Sequence, residues 1–115
     1  MRIVILALML LSPLVAHPPK SIELEYDIGT GILTVEVVHG VSDASKHYVN
    51  EVEVELNGTK LIEQSFRSQI DKEKQQVFYK VIDAKVGDKF TVEAYCNISG
   101  KRKAQLEVTT TKSSE

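Results

Sequence analysis

The chain has 115 residues, 43% hydrophobic and 26% charged, with three prolines, six glycines, no tryptophan and one cysteine, which excludes collagenous and low-complexity classes and leaves room for one domain. Its net charge is −2 with both signs interspersed, and setting aside residues 1–16, whose only charged side chain is Arg2, makes the balance more acidic, so no basic face for a nucleic-acid backbone is expected. A chain of this size hides about 60–68% of its unfolded surface, too little to enclose a large cavity, so an active site here has to be shallow and close to a surface loop.

In chain order, Arg2 is followed by an apolar run over 3–11 and then by Ser12, Pro13 and Ala16, the pattern of a secretory signal peptide spanning 1–16. The run falls short of the about 20 apolar residues that a spanning helix needs, so no stable membrane span is expected. Residues 17–115 then form an exported domain, periplasmic, extracellular or at the cell surface, that begins at His17. Such compartments permit disulfides, yet Cys96 has no partner in the chain. It is left as a buried inert thiol, an intermolecular bridge or a metal ligand.

Beyond the leader the apolar period is close to two, which predicts strands over 21–26, 32–38, 48–56, 59–66, 75–82, 89–96 and 104–110. Gly29-Thr30-Gly31, Asn57-Gly58 and Val86-Gly87-Asp88 supply turns, Asn57-Gly58 being a two-residue hairpin signal. In the third segment Val52, Val54 and Leu56 share one face and Glu51, Glu53 and Glu55 the other, a solvated face. The stretch 68–74 reads as a polar loop and 112–115 as a frayed tail. Seven short strands without a helix or internal repeat predict an all-β fold, a seven-stranded antiparallel immunoglobulin-like sandwich, although the Cys…Trp…Cys hallmark is absent.

Neither a glycine-rich phosphate loop nor a nucleophile elbow is present. Chemistry is confined to His17 at the start of the mature domain, His39 after the second strand, His47 at the opening of the third and Cys96 at the end of the sixth. All four fall at strand ends, positions that a sandwich gathers at its rims. Imidazole and thiolate together suit iron, copper or zinc rather than calcium or magnesium. Individually, each has a plain alternative: a terminal residue, a surface imidazole, a strand cap and a core thiol. Asn57-Gly58-Thr59 and Asn97-Ile98-Ser99 also fit the N-glycosylation pattern.

His47-Tyr48-Val49 leading into a strand, Cys96-Asn97-Ile98-Ser99-Gly100 before the last strand, and His17 at the domain start resemble the iron-binding domain of superoxide reductases, the neelaredoxin and desulfoferrodoxin family. That family carries H-x5-H-[HY]-I and C-N-x-H-G, and the likeness runs over about 17–108. The resemblance implies a mononuclear iron held by imidazoles and one axial thiolate, with superoxide or another small anion as substrate, a separate electron donor and a lysine that attracts the anion. Carried over by position, His17, His47 and Cys96 match ligands. Ser99 replaces one family histidine, Val41 stands where another belongs, and Val15-Ala16 occupy the place of the family's Glu-Lys pair. His39, two residues before Val41, supplies the missing imidazole if the loop shifts, and Lys46 is the candidate for anion attraction. The alternatives are a copper-binding domain that chelates through the amine and ring of His17, and a metal-free sandwich module used for binding.

Overall fold

The structure, a computed structural model, describes residues 17–110. The expected leader over 1–16 and the expected tail over 112–115 lie outside the described residues. Seven strands follow in order, β1 Ser21–Asp27, β2 Ile32–Val38, β3 Val49–Leu56, β4 Thr59–Ser65, β5 Lys74–Lys80, β6 Lys89–Cys96 and β7 Lys101–Glu107. They form two antiparallel sheets, β1-β2-β5 and β4-β3-β6-β7. This is the seven-stranded antiparallel sandwich that the period-two pattern predicts, and no helix interrupts the described residues.

Alternation is what closes the sandwich. Leu33, Val35 and Val37 of β2 point inward from one sheet and are fully buried; Val52 and Val54 of β3 and Phe90, Val92 and Ala94 of β6 meet them from the other. Asn57 and Gly58 adopt positive φ of 52° and 86°, the left-handed pair that a tight β3–β4 hairpin requires. Two strands shift by two residues or more against expectation, and β7 also ends at Glu107 rather than at 110. β7 begins at Lys101 rather than 104, because Lys101, Arg102 and Lys103 pair with Tyr95, Ala94 and Glu93 as an exposed edge. Charged side chains on an edge strand resist further pairing, and they also disguise a strand as a loop. β5 occupies 74–80 instead of 75–82, and Ile82, 78% exposed, lies past its end.

One irregularity positions the site. The β3–β6 register runs Glu51↔Tyr95, Val52↔Ala94 and onward, but Val49 pairs with Cys96, leaving Asn50 as an extra residue in β3. A bulge of this kind bends the strand and re-aims the side chains before it. Strict alternation from Val52 and Val54 would turn Tyr48 and Asn50 inward; instead Val49 is fully buried, and His47, two residues earlier and half-buried, turns to the side of His39.

The outer face of the larger sheet carries the glutamates expected there. Glu53 lies opposite both Glu63 and Glu93. Lys60 reaches Glu53 at 3.6 Å and Glu63 at 3.3 Å, and Lys101 reaches Glu93 at 3.3 Å. Glu51 hydrogen-bonds first Glu63 and then Glu53, which holds its carboxyl up at about 7, while Glu63 is lowered by accepting from it. Lys60, paired with Glu53 and Glu63, offsets part of the remaining negative charge. A carboxyl whose folded value lies above its unfolded one stabilises the fold at acid pH and loses that contribution as pH rises. Here the loss runs from about 4.5 to about 7, offset in part by the opposite shift at Glu63. Glu51→Gln is therefore expected to melt higher than the parent at pH 8 and equally at pH 5. Facing like charges cost on the order of 0.2–1 kcal/mol, so the pH 8 gain is about 1–8 °C. Parallel melting curves across pH 5–8 check it, and a constant difference would contradict the raised Glu51 carboxyl.

Candidate metal centre

His39 arrives at the site by simple alternation. Leu33, Val35, Val37 and His39 are spaced by two, and the fully buried imidazole extends the inward face of β2 just past its end. No loop shift is needed, which corrects the expectation that only a displaced loop could bring it in. The β2–β3 connection then continues alongside the β4–β5 connection, with His39 N–H donating to Glu73 O at 2.9 Å and Val41 N–H to Lys72 O at 2.8 Å.

His47 enters through the bulge at Asn50 and is fixed on both flanks by one side chain. Asn97 accepts from Tyr48 N–H at 2.8 Å and donates to Lys46 O at 3.0 Å, so a single amide grips the residues on either side of His47. Both ends of the Asn97 amide are engaged, which gives this Asn-x-Ser a structural reading without sugar. Asn57, in the other such motif, is likewise engaged, donating to Asp88 at 3.1 Å and accepting from Lys89 N–H at 3.0 Å.

His17 is delivered by a strap, residues 17–20, laid across the end of the larger sheet. Lys20 N–H donates to Val38 O at 2.7 Å and Arg102 Nε to Pro19 O at 2.7 Å. Pro18 lies directly against Gly100, where a Cβ would stand only 2.9 Å from the Pro18 Cα. Glycine is thus required at this place in Cys96-Asn97-Ile98-Ser99-Gly100 for a spatial reason, as well as for its φ of +92°.

The result is a cluster. Ring centroids lie 5.0 Å apart for His17–His39 and for His17–His47, and 4.8 Å for His39–His47. One nitrogen from each ring lies within 4.8 Å of the others. Cys96 Sγ lies 3.2 Å from His47 Nε2 and accepts from Ile98 N–H at 3.4 Å. The thiol is buried at the foot of the cluster. Burial of the His47 ring, then the charges of His39 and His17, hold its imidazole below the ordinary value. Neutral nitrogen is the form that binds a metal.

The four side chains nominated from sequence therefore meet at one rim. Lys46, the fifth, is exposed, and the cleft beside the imidazoles is lined by Lys72 and Glu73 together with His17, His47 and 40–42. Val41 lines that cleft without offering a ligand, and Ser99 is exposed. The cleft is open and shallow, as the size of the chain requires.

Sequence reading passes over Gln69. It lies in the stretch read as a solvated loop, yet it is only 6% exposed. Its Oε1 accepts from Val49 N–H at 3.0 Å and lies 2.5 Å from His39 Nδ1. Its Nε2 donates to His39 O at 3.0 Å and Asp71 O at 3.1 Å. Gln75, 4% exposed, pins the same loop by accepting from Ile70 N–H and donating to Ser68 O. Nothing in the sequence marks Gln69 or Gln75 as buried, since both sit in or beside a polar stretch.

These contacts supply a test of fit for a metal. With Nδ1 committed to Gln69, a neutral His39 leaves Nε2 as a bare acceptor, and the group facing it at 3.3 Å is another acceptor, His17 O. A buried acceptor opposed by an acceptor is satisfied by a proton or by a metal ion, and it is the surrounding donor set of imidazoles and one thiol that suits iron, copper or zinc. The residues fit such an ion. The acidic trio Glu51, Glu53 and Glu63 lies on the outer face, where Lys60 already pairs with Glu53 and Glu63.

No family model and no curated protein matches the chain. Solved structures do. The superoxide reductase (1Fe-SOR) from Giardia intestinalis superposes with a TM-score of 0.53 at 16% identity, over 80% of this chain and 100% of that one. The fold is that of a superoxide reductase. Neelaredoxins from Ignicoccus hospitalis and Archaeoglobus fulgidus align with TM-scores of 0.49 and 0.46 at 20% and 18% identity. They match 81% and 83% of this chain, and 80% and 91% of their own lengths. Among the described residues no helix is long and apolar enough to cross a membrane.

Proposed function

We propose that the protein is a divergent, exported member of the superoxide reductase group that holds one iron through His17, His39, His47 and Cys96 and reduces superoxide. One observation carries the reading: every imidazole and the only thiol of the chain converge at a single rim, inside a fold shared with a superoxide reductase. Bound there, iron would supply one-electron chemistry: the ferrous ion would reduce superoxide, with two protons, to hydrogen peroxide, and a separate electron donor would return the ferric ion to the ferrous state.

The protein's own contribution is placement and charge. Asn97, Gly100 and Arg102 keep the ligand-bearing segments in register. The open cleft gives a small anion access without a channel. Lys72, on the cleft wall, takes the anion-attracting role that sequence position suggests for Lys46. Attraction of this kind raises the association rate and weakens with salt. With only three imidazoles available, the set is one ligand short of the family pattern, so a bound ion would have room for a further solvent or anion ligand.

Loading with Fe(II) under anaerobic conditions followed by oxidation is expected to give a visible thiolate-to-iron charge-transfer band, absent from Cys96→Ser, together with accelerated loss of superoxide. Iron retained without the band in the parent protein would refute thiolate ligation. Failure to retain iron, with copper bound instead through a mature N-terminus that mass spectrometry places at His17, would replace this reading by the copper alternative.

A further inference from the structure

We infer that Gln69 is a positioning residue that fixes the tautomer of His39 and thereby dedicates its Nε2 to the metal. The inference rests on the proposed function for the identity of what Nε2 serves, but the tautomer itself is a property of the metal-free protein.

An amide side chain can be built either way round, and here its surroundings decide. Val49 N–H can only donate, so the atom 3.0 Å from it is the oxygen of Gln69. His39 O and Asp71 O can only accept, so the atom 3.0 and 3.1 Å from them is the nitrogen. Three backbone groups of fixed polarity thus orient the amide, independently of the histidine. With both of its hydrogens spent on carbonyls, Gln69 offers the His39 ring only an acceptor, at 2.5 Å from Nδ1.

A neutral imidazole carries one N–H. Two acceptors compete for it, Gln69 Oε1 at 2.5 Å and His17 O at 3.3 Å, and the shorter contact wins. The proton therefore resides on Nδ1 and the lone pair on Nε2, the nitrogen that faces the His17 strap. A second hydrogen bond of this sort orients a ligating ring and raises its basicity. Because Gln69 Oε1 also accepts from Val49 N–H at the start of β3, the same atom links the ring of His39 to the strand that carries His47. Burial keeps water from offering an alternative partner, since Gln69 and His39 are 6% and 0% exposed.

The deciding measurement is long-range 1H–15N correlation on the histidines of the metal-free protein at about pH 8, above the ordinary imidazole range; protonated and bare ring nitrogens are well separated in nitrogen shift. The parent protein is expected to show His39 as the Nδ1–H form. Gln69→Met, similar in size and lacking the acceptor, is expected to move the proton to Nε2, where His17 O receives it, and to weaken Zn(II) binding about 10- to 100-fold. Gln69→Glu retains an acceptor toward Nδ1 and is expected to restore the Nδ1–H form. An Nε2–H signal for His39 in the parent protein overturns the inference, as does an unchanged tautomer in Gln69→Met. The parent spectrum is decisive even where a variant fails to fold. A parent protein with the Nδ1–H form that binds neither iron nor zinc would sink the proposed function and leave the role of Gln69 toward His39 standing.

Discussion

Saturating the metal-free protein with Zn(II), or with Fe(II) in the absence of oxygen, is expected to raise its melting temperature by roughly 10–20 °C when the free ion stands a hundredfold above its dissociation constant. A ligand that binds only the native state at that ratio stabilises it by about 2.7 kcal/mol. A domain near 100 residues gains about 4–8 °C per kcal/mol. The His17 strap and the 96–100 turn meet across the cluster, so an ion at the rings ties together segments that are far apart in sequence. His39→Ala is expected to remove the increment. That variant also loses a buried side chain and two contacts, so its own melting point falls; the relevant quantity is the rise on adding metal, measured by calorimetry with and without the ion. A rise of less than about 2 °C in the parent, small beside the shift expected from linkage, or an equal rise in His39→Ala, would show that the imidazoles pack together without serving an ion.

Much of this centre is legible in the residues alone, and the reasons it is not wholly so are specific. Strands announce themselves by a period of two, and His39 simply continues the Leu33, Val35, Val37 series; only the comparison with a family spacing makes it look displaced. His47 is different. Its direction depends on one extra residue in β3, Asn50, and nothing in Tyr48-Val49-Asn50-Glu51 marks a bulge, since pairing partners on β6 define it. The edge strand β7 is hidden by Lys101-Arg102-Lys103, whose charge serves to protect the edge. Gln69 is hidden by its own polarity. A glutamine among Ser68, Asp71, Lys72 and Glu73 reads as solvated, whereas backbone groups of two other segments, at Val49 and His39, together with Asp71 O of its own loop, saturate it. Polar residues that support a site from behind carry no periodic signal, because their partners are non-local.

Gly100→Ala is expected to reduce metal affinity about 10- to 100-fold although the residue offers no ligand. Two penalties fall on the alanine. Its φ of +92° lies where an L-residue is strained by about 1–3 kcal/mol. In addition, its Cβ would meet the Pro18 Cα and Cβ at 2.9 Å and the Pro18 nitrogen at 3.0 Å. Most of those atoms are backbone or a rigid ring and cannot rotate aside, so the strap has to lift, and His17 leaves the cluster with it. Gly87→Ala separates the two effects. Gly87 has a φ of +95° with nothing within 4 Å of a built Cβ, and it lies in the β5–β6 connection, outside the cleft. Both variants should lose comparable stability from backbone strain, read as melting temperature without metal. Only Gly100→Ala should lose affinity, read by competition with a zinc indicator. Equal affinity in the two variants would mean that the strap is not what presents His17, and the ligand count at the rim would fall to His39, His47 and Cys96.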